Sequence, residues 1–584
     1  MDQKRLITAI AASILIVLVF QFFVPHPPAP PHQAQQSSES VPAASAPAAS
    51  TTAAAPSGVP ADLAAATAAV PREVPRLKID GARLSGSISL LGARLDDVVL
   101  RGYHQSVDPK SPEERILEPR SEAQPYYVQF GWSAAPDAKV RLPDSNTLWS
   151  GSGEVAPGKT ATLSWDNGEG LTFSLQIGVD ANYMFTIHQA VKNDSGAAVT
   201  LYPWSRIRRD YTPETLGYYI LHEGPLGVFG GTLKEQTYKS VKSDGEKKGG
   251  VAYQAHSTGG WLGITDKYWL IALVPDQKTP ATGSFRHISE GGHDAYQVDY
   301  LADQPQTVAP GAEAETTLRA FAGAKEVHLL NRYETEGNIP LFSYAVDWGW
   351  FFFITKPIFY AIDFLYGLIG NFGVAIILFT VFIKLLFFPL ANKSYSSMSK
   401  MKLLGPKMKE LREQYKDDPA KMQQATMALY KAEKVNPASG CLPIFVQIPV
   451  FFSLYKVIFT TIEMRHAPFF GWIHDLSAVD PTNIFNLFGL LPFDPTEYSH
   501  FLHLGVWPLI MGFSMYFQQK LNPTPPDPMQ AKIFQWMPVI FTFMLANFPA
   551  GLVIYWTTNN ILTFAQQWVI MRHTHLDKPR MARS

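Results

Sequence analysis

Cysteine is almost absent. Cys441 is the only one in 584 residues, so no intrachain disulfide can staple the fold and each domain must hold together on its own core. Its place beside an apolar run marks it as a packing residue. Charge imbalance is also missing: 49 basic side chains stand against 50 acidic ones, which gives no sign of a nucleic-acid partner. Neither a P-loop nor an HExxH helix occurs. The histidines and paired carboxylates such as Asp96-Asp97 show no metal-ligand spacing, so no metal, cofactor or catalytic residue is expected.

Large apolar side chains gather at the start of the chain and in its last 240 or so residues, around a polar, Gly-rich middle. After MDQKR, the stretch Leu6 to Val24 spans about 28 Å at 1.5 Å per residue, close to a full bilayer core. It ends in Val24-Pro25-His26-Pro27 with no small-residue cleavage site. Residues 1–25 are therefore expected to form a retained transmembrane anchor. Residues 26–75, rich in Pro, Ala, Ser and Thr, cannot bury enough surface to offset ordering entropy and read as a disordered linker.

Residues 76–340 change to period two. Leu171, Phe173, Leu175 and Ile177 alternate with Thr172, Ser174 and Gln176, and Phe185, Ile187 and Val191 continue on one face of the next run. The clusters Asp166-Asn167-Gly168, Asn193-Asp194-Ser195-Gly196 and Ser243-Asp244-Gly245 read as turns. The pattern predicts an all-β sandwich. Residues 341–370, with the aromatic stretch Trp348 to Tyr366, suit an amphipathic helix lying in the membrane interface.

Five apolar segments follow within 371–572, at about 372–390, 442–462, 501–517, 533–548 and 552–571. The fold class is thus a multi-domain membrane protein with a five-span helical core, an N-terminal anchor helix and a β-sandwich domain outside the membrane. Orientation follows from the short loops. The loop 391–434 holds ten basic residues against five acidic, and the tail 573–584 is basic, whereas Arg465 is the only lysine or arginine from Met464 to His500. Both termini are expected in the cytoplasm and the β domain across the membrane.

Lys384 lies inside the run FGVAIILFTVFIKLLFFPL, where a charge needs a partner or a wet cavity unless its stem lifts the ammonium to the interface. Lys456, equally near the end of its span, is expected to snorkel outward. The last span carries a polar stripe, Thr557, Thr558, Asn559, Asn560, Thr563, Gln566 and Gln567, and Gln447 lies between two prolines of another span. Lipid offers such groups no partners, so they should turn inward, toward one another, Lys384 or water. The segment at 533–548 is short for a bilayer core of about 30 Å.

In the loop 391–434, Met401, Leu404, Met408, Leu411 and Tyr415 recur at helical spacing. Asp418-Pro419 starts a second helix, and Met422, Ala425, Leu429 and Ala432 resume the seam. A helical hairpin results, with Lys400, Lys402, Lys407, Lys409 and Arg412 on its outside. Such a basic face suits anionic lipid head groups, or docking of a ribosome or targeting factor. Two other classes fit parts of the pattern. A channel or solute transporter would use intramembrane polar groups, though no internal repeat is visible. An intramembrane protease would need more than the GFSM stretch around Ser514 offers, since the last span holds no histidine to act as base.

The runs FPLANKSYSSMSKMKLLGPKMKELREQYKDDPAKMQQ, RHAPFFGWIHDLSAVDP and PDPMQAKIFQWMPVIFTFMLANFPAGLVIYW, with GGWLGITDKYWLIALVP in the outer domain, closely resemble the YidC family of bacterial membrane protein insertases. The resemblance covers the whole chain in the family's order. It implies an inner-membrane, multi-pass protein with a periplasmic domain, acting as a non-enzymatic insertase and chaperone for nascent membrane proteins, alone or with the Sec translocon. It also implies a positively charged hydrophilic groove open to cytoplasm and lipid. Lys384 stands where that family typically has an arginine, and Gln447, Tyr555, Trp556, Asn560 and Thr563 are the expected lining.

Overall fold

The computed structural model describes residues 59, 73–135, 138–217, 220–290, 292–415, 418–433, 435, 442–498, 502–522 and 528–576. The expected anchor, nearly all of the linker, Cys441 and the tail from 577 onward lie outside the described residues.

Among the described residues, two antiparallel sheets, one of ten strands and one of nine, form the first half of the molecule. The alternation in Leu171–Val179 is realised: Leu171, Phe173, Leu175 and Ile177 are buried between the sheets, in one apolar core that also takes in Ile207, Val128 and Val298 of the ten-stranded sheet. The opposite face of the ten-stranded sheet carries a buried polar layer. Arg206 sits in register between Gln129 and Asp299, and donates from Nε to Gln129 Oε1 at 3.1 Å. Arg286 Nε meets Asp299 Oδ2 at 2.8 Å.

One expected turn is a helix. Ser243-Asp244-Gly245 lies inside α1 (Tyr238–Lys247), which starts with the Thr237 side chain accepting from Ser240 N–H at 3.2 Å. Tyr238, Val241 and Gly245 fall on one buried face. Packing of that face overrides the local turn preference, because a Cβ on Gly245 would stand 2.8 Å from His287 Cβ. The glycine permits close approach of helix to strand.

The second half is helical: α2 (Val327–Thr335), α3 (Phe352–Ile369), α4 (Phe372–Leu386), α5 (Phe388–Leu403), α6 (Gly405–Gln414), α7 (Pro419–Ala432), α8 (Leu442–Thr460), α9 (Val506–Leu521), α10 (Pro528–Leu545) and α11 (Ala550–Leu576). Among the described helices only α3 is by itself both long and apolar enough to cross a membrane, with 18 residues and a mean hydropathy of 1.4. The helices α4 and α5 pass that test together but are bent by 67°. Apolar stretches in α8 and α10 run Val446–Thr460 and Ala531–Leu545.

Polar contacts seat the β domain on the helical part. Arg465 Nη2 donates to Glu114 Oε1 at 2.6 Å and to the His104 carbonyl at 2.7 Å. Glu463 accepts from Val327 N–H at 2.9 Å, at the start of α2. Tyr268 and Ser477 share a hydrogen bond of 3.2 Å. Lys456, expected to snorkel, does reach outward, but it ends on Asp347 at 2.6 Å with most of its side chain covered. A carboxylate from the segment before α3 supplies the counterion that the short sequence around Lys456 does not reveal.

Lys325, at the end of the last strand, is 1% exposed and donates to Thr265 Oγ1 at 2.9 Å. Burial lowers its amine from 10.5 to about 8. A lowered lysine favours the neutral form, so the stability it contributes is complete above its unfolded value and is lost as pH falls toward 8. Thermal unfolding of the solubilised protein at pH 7.5 and pH 10 is expected to show a rise in stability on the order of 2 kcal/mol from this group. Lys325→Met should remove that rise and stabilise the protein at pH 7.5.

Candidate functional site: a cationic cavity between helices

The helix α4 begins with Asn371, whose side chain accepts from Val374 N–H at 3.1 Å, and stops at Phe387. Pro389 cannot donate a backbone hydrogen bond to the preceding turn, so the chain bends by 67° into α5. The bend frees carbonyls in the last turn of α4. Gln566 on α11 meets one of them, donating to the Lys384 carbonyl at 3.2 Å.

A cavity of about 40 Å³ opens beside this bend. By size it has room for a few water molecules. Its walls include Lys384, Phe387, Tyr395, Val446, Gln447 and Gln566, drawn from α4, α5, α8 and α11. Lys384 Nζ donates to Thr563 Oγ1 at 2.8 Å, and Thr563 in turn donates to the Asn559 carbonyl at 2.6 Å. The hydroxyl thus uses its single proton on the backbone and offers a lone pair to Lys384. Among the described residues Lys384 forms no ion pair; its hydrogen-bond partner is neutral.

Gln447, in the cavity lining, donates to the Tyr555 hydroxyl, which joins these two expected residues to each other, although Tyr555 and Thr563 themselves lie outside the lining. Trp556 lies outside the cavity lining and packs edge-on to Phe451, with centroids 4.7 Å apart. Asn560 also faces elsewhere, donating to Ser514 Oγ on α9 at 3.1 Å. Gln567 does likewise, to Asn522 at 3.0 Å. The polar stripe of α11 therefore splits: Thr563 and Gln566 serve Lys384, while Asn560 and Gln567 tie α11 to α9. Ser514 is occupied in that second group, donating to the Met511 carbonyl at 2.6 Å.

Tyr395 was not among the expected site residues. It falls in the stretch read as the start of the cytoplasmic loop, and only the bend at Phe387 turns it back to the cavity. The pair Phe388-Pro389 was the available signal, since a proline restricts the residue before it and commonly marks a helix boundary. In the hairpin, Lys400, Lys402, Lys407 and Lys409 are exposed and Arg412 is half-buried. Lys407 pairs with Glu433 at 2.7 Å and so clips α6 to α7, while Asp418 caps α7 by accepting from Lys421 N–H at 3.1 Å. Among the described residues no cluster of His, Cys, Asp or Glu is arranged to hold a metal ion.

The family described as YidC periplasmic domain matches residues 76–361, and the one described as 60Kd inner membrane protein matches residues 364–578. The molecule is thus an inner-membrane protein carrying a periplasmic domain. A membrane protein insertase YidC from Granulibacter bethesdensis is 58% identical over 588 residues, covering 100% of both chains. Another from Acidiphilium cryptum is 56% identical over 517 residues, covering 87% of this chain and 86% of the relative. A solved structure of an active YidC insertase aligns over 85% of this chain and 93% of its own, at 18% identity and a TM-score of 0.35. The chain belongs to the YidC family of membrane protein insertases.

Proposed function

We propose that this insertase works through the Lys384 cavity, which receives the polar outer segment of a nascent membrane protein from the cytoplasmic side while the client's apolar helix passes into lipid. The observation that carries this reading is a lysine ammonium on a short apolar helix, lining a cavity and hydrogen-bonded to a neutral hydroxyl without an acidic partner among the described residues. An unneutralised positive charge attracts acidic and polar client segments, and a hydrated recess shortens the apolar barrier they cross. Short helices act in the same direction. The 15 residues of α4 reach about 22 Å, so the bilayer around them must thin. Burial of the client's apolar helix in lipid supplies the driving force, at about 25 cal/mol per Å².

In this reading α4, α8, α9, α10 and α11 span the membrane, with both chain termini cytoplasmic. The helix α3 lies in the periplasmic interface rather than spanning, although its length would allow it to span. Support comes from its mid-helix polar groups, which bond to the β-domain side: Lys356 Nζ meets Asn331 and Ser343 at 3.1 Å each, and Asp363 meets His328 at 2.8 Å. The exposed lysines of α5 and α6 form the face for a ribosome, a targeting factor or anionic lipid, and the protein acts alone or with the Sec translocon. Gln447, Tyr555 and Thr563 line the client's path together with Tyr395 and Gln566. Trp556 and Asn560 support it from behind.

Photo-crosslinking from positions 447 and 566 to a stalled single-span client tests the cavity, with position 513 on the exposed flank of α9 as comparison. Crosslinks from the first two are expected. Crosslinks from position 513 alone would overturn the reading.

A further inference from the structure

The segment between Pro481 and Phe493 contains no charged residue and seven large apolar ones: Ile484, Phe485, Leu487, Phe488, Leu490, Leu491 and Phe493. All seven are exposed, Phe488 at 53% and Leu490 at 82%. Soluble surfaces rarely present so continuous an apolar patch. The backbone reinforces the point, because Leu487 and Phe488 take successive left-handed conformations, with φ of 53° and 59°. Bulky residues adopt that region rarely.

The feet of this loop are fixed to the first turn of α9. Asp480, 1% exposed, accepts from Trp472 Nε1 at 3.1 Å, from Thr482 N–H at 3.0 Å and hydroxyl at 2.7 Å, and from Trp507 N–H at 2.8 Å. Thr482 Oγ1 accepts from Val506 N–H at 2.9 Å, and Ile484 N–H donates to the Leu504 carbonyl at 2.9 Å. The side of the membrane is set by Ser477, just before the loop, which bonds Tyr268 of the periplasmic domain. The apolar tip is thus held at the periplasmic end of α9.

The helix α9 is short of apolar cover. The 16 residues of α9 reach about 24 Å, against a bilayer core of about 30 Å. Ile510, Phe513 and Phe517 on α9 are exposed and apolar, so the loop continues a lipid-facing strip. We infer that the tip from Ile484 to Phe493 inserts into the outer leaflet of the inner membrane, where the acyl chains beside α9 cover it and it makes up the missing apolar length. Beneath the arch lies an open hollow of about 500 Å³, lined by Asn483, Asn486, Asp494, Thr496 and His503 together with Val479, Pro481, Pro492 and Phe493. The inference rests on α9 spanning the membrane and is independent of the Lys384 cavity.

The test uses the full chain in liposomes, with Cys441→Ser as background and an environment-sensitive fluorophore attached to Leu490→Cys or, as a flanking control, Glu497→Cys. Blue-shifted emission at position 490, quenched by lipids bearing a nitroxide high on the acyl chain, is expected, with water-like emission at position 497. Water-like emission at 490 that aqueous iodide quenches would overturn insertion. Blue-shifted emission at 490 that nitroxide lipids leave unchanged would also overturn it, in favour of contact with a second copy of the chain. A lost Lys384 effect with an intact quenching pattern would remove the cavity reading alone.

Discussion

Lys384→Ala is expected to lower insertion of a single-span client with an acidic outer segment by about tenfold, and Lys384→Arg to leave it within about twofold of the unaltered protein. Unit charges about 5 Å apart at an effective permittivity near 20 attract by about 3 kcal/mol, and partial hydration cuts that to about 1.4 kcal/mol, or tenfold. Thr563 holds the ammonium through a neutral hydroxyl that leaves its charge uncompensated, which is the basis of the expected effect. Arginine keeps that charge and adds a planar, multi-donor head, and it can still reach the Thr563 hydroxyl. A client whose outer segment carries no acid should lose much less in the alanine variant. Protease protection of the outer segment after insertion measures both clients. Equal losses for the acidic and the neutral client would sink the electrostatic role and leave Lys384 as a packing residue.

Much of this molecule is legible in its sequence where one local period dominates. The sandwich strands declare themselves because alternate side chains such as Phe173 and Leu175 face a common core. The hairpin is legible for the same reason, since Asp418 caps a helix by a local rule. Long-range partnership was harder to read. Ser243-Asp244-Gly245 has a turn's composition, yet packing of Tyr238 and Val241 makes it helix. The stripe on α11 pointed inward as lipid physics demands, but sequence could not say that Asn560 would choose Ser514 and Thr563 would choose Lys384. Tyr395 depends on the bend at Phe387, and nothing local to Asp480 in sequence announces the four donors that converge on it. These residues act through neighbours distant in sequence, and no spacing rule encodes such pairs.

The same distinction governs Lys456, where pairing across domains has a measurable cost when broken. Asp347 Oδ1 meets Lys456 at 2.6 Å and also accepts from Gly349 N–H at 3.0 Å, while Oδ2 accepts from His222 N–H at 2.9 Å. Asp347→Ala removes all of these and leaves a mostly covered ammonium at the seam between the periplasmic domain and α8. Isolating one partner of a fully buried pair costs about 3 to 5 kcal/mol, and the partial exposure of this pair reduces the expectation to about 2 to 3 kcal/mol. Most of that loss comes from the stranded charge. Lys456→Met in the Asp347→Ala background should therefore recover more than half of it, since the thioether stem fills the same space without needing a counterion. Lys456→Met alone should be milder than Asp347→Ala, because the carboxylate keeps its two backbone donors. Thermal unfolding of the four proteins in one detergent closes the cycle. A double variant no more stable than Asp347→Ala would show that the backbone donors, and not the ion pair, hold the seam together.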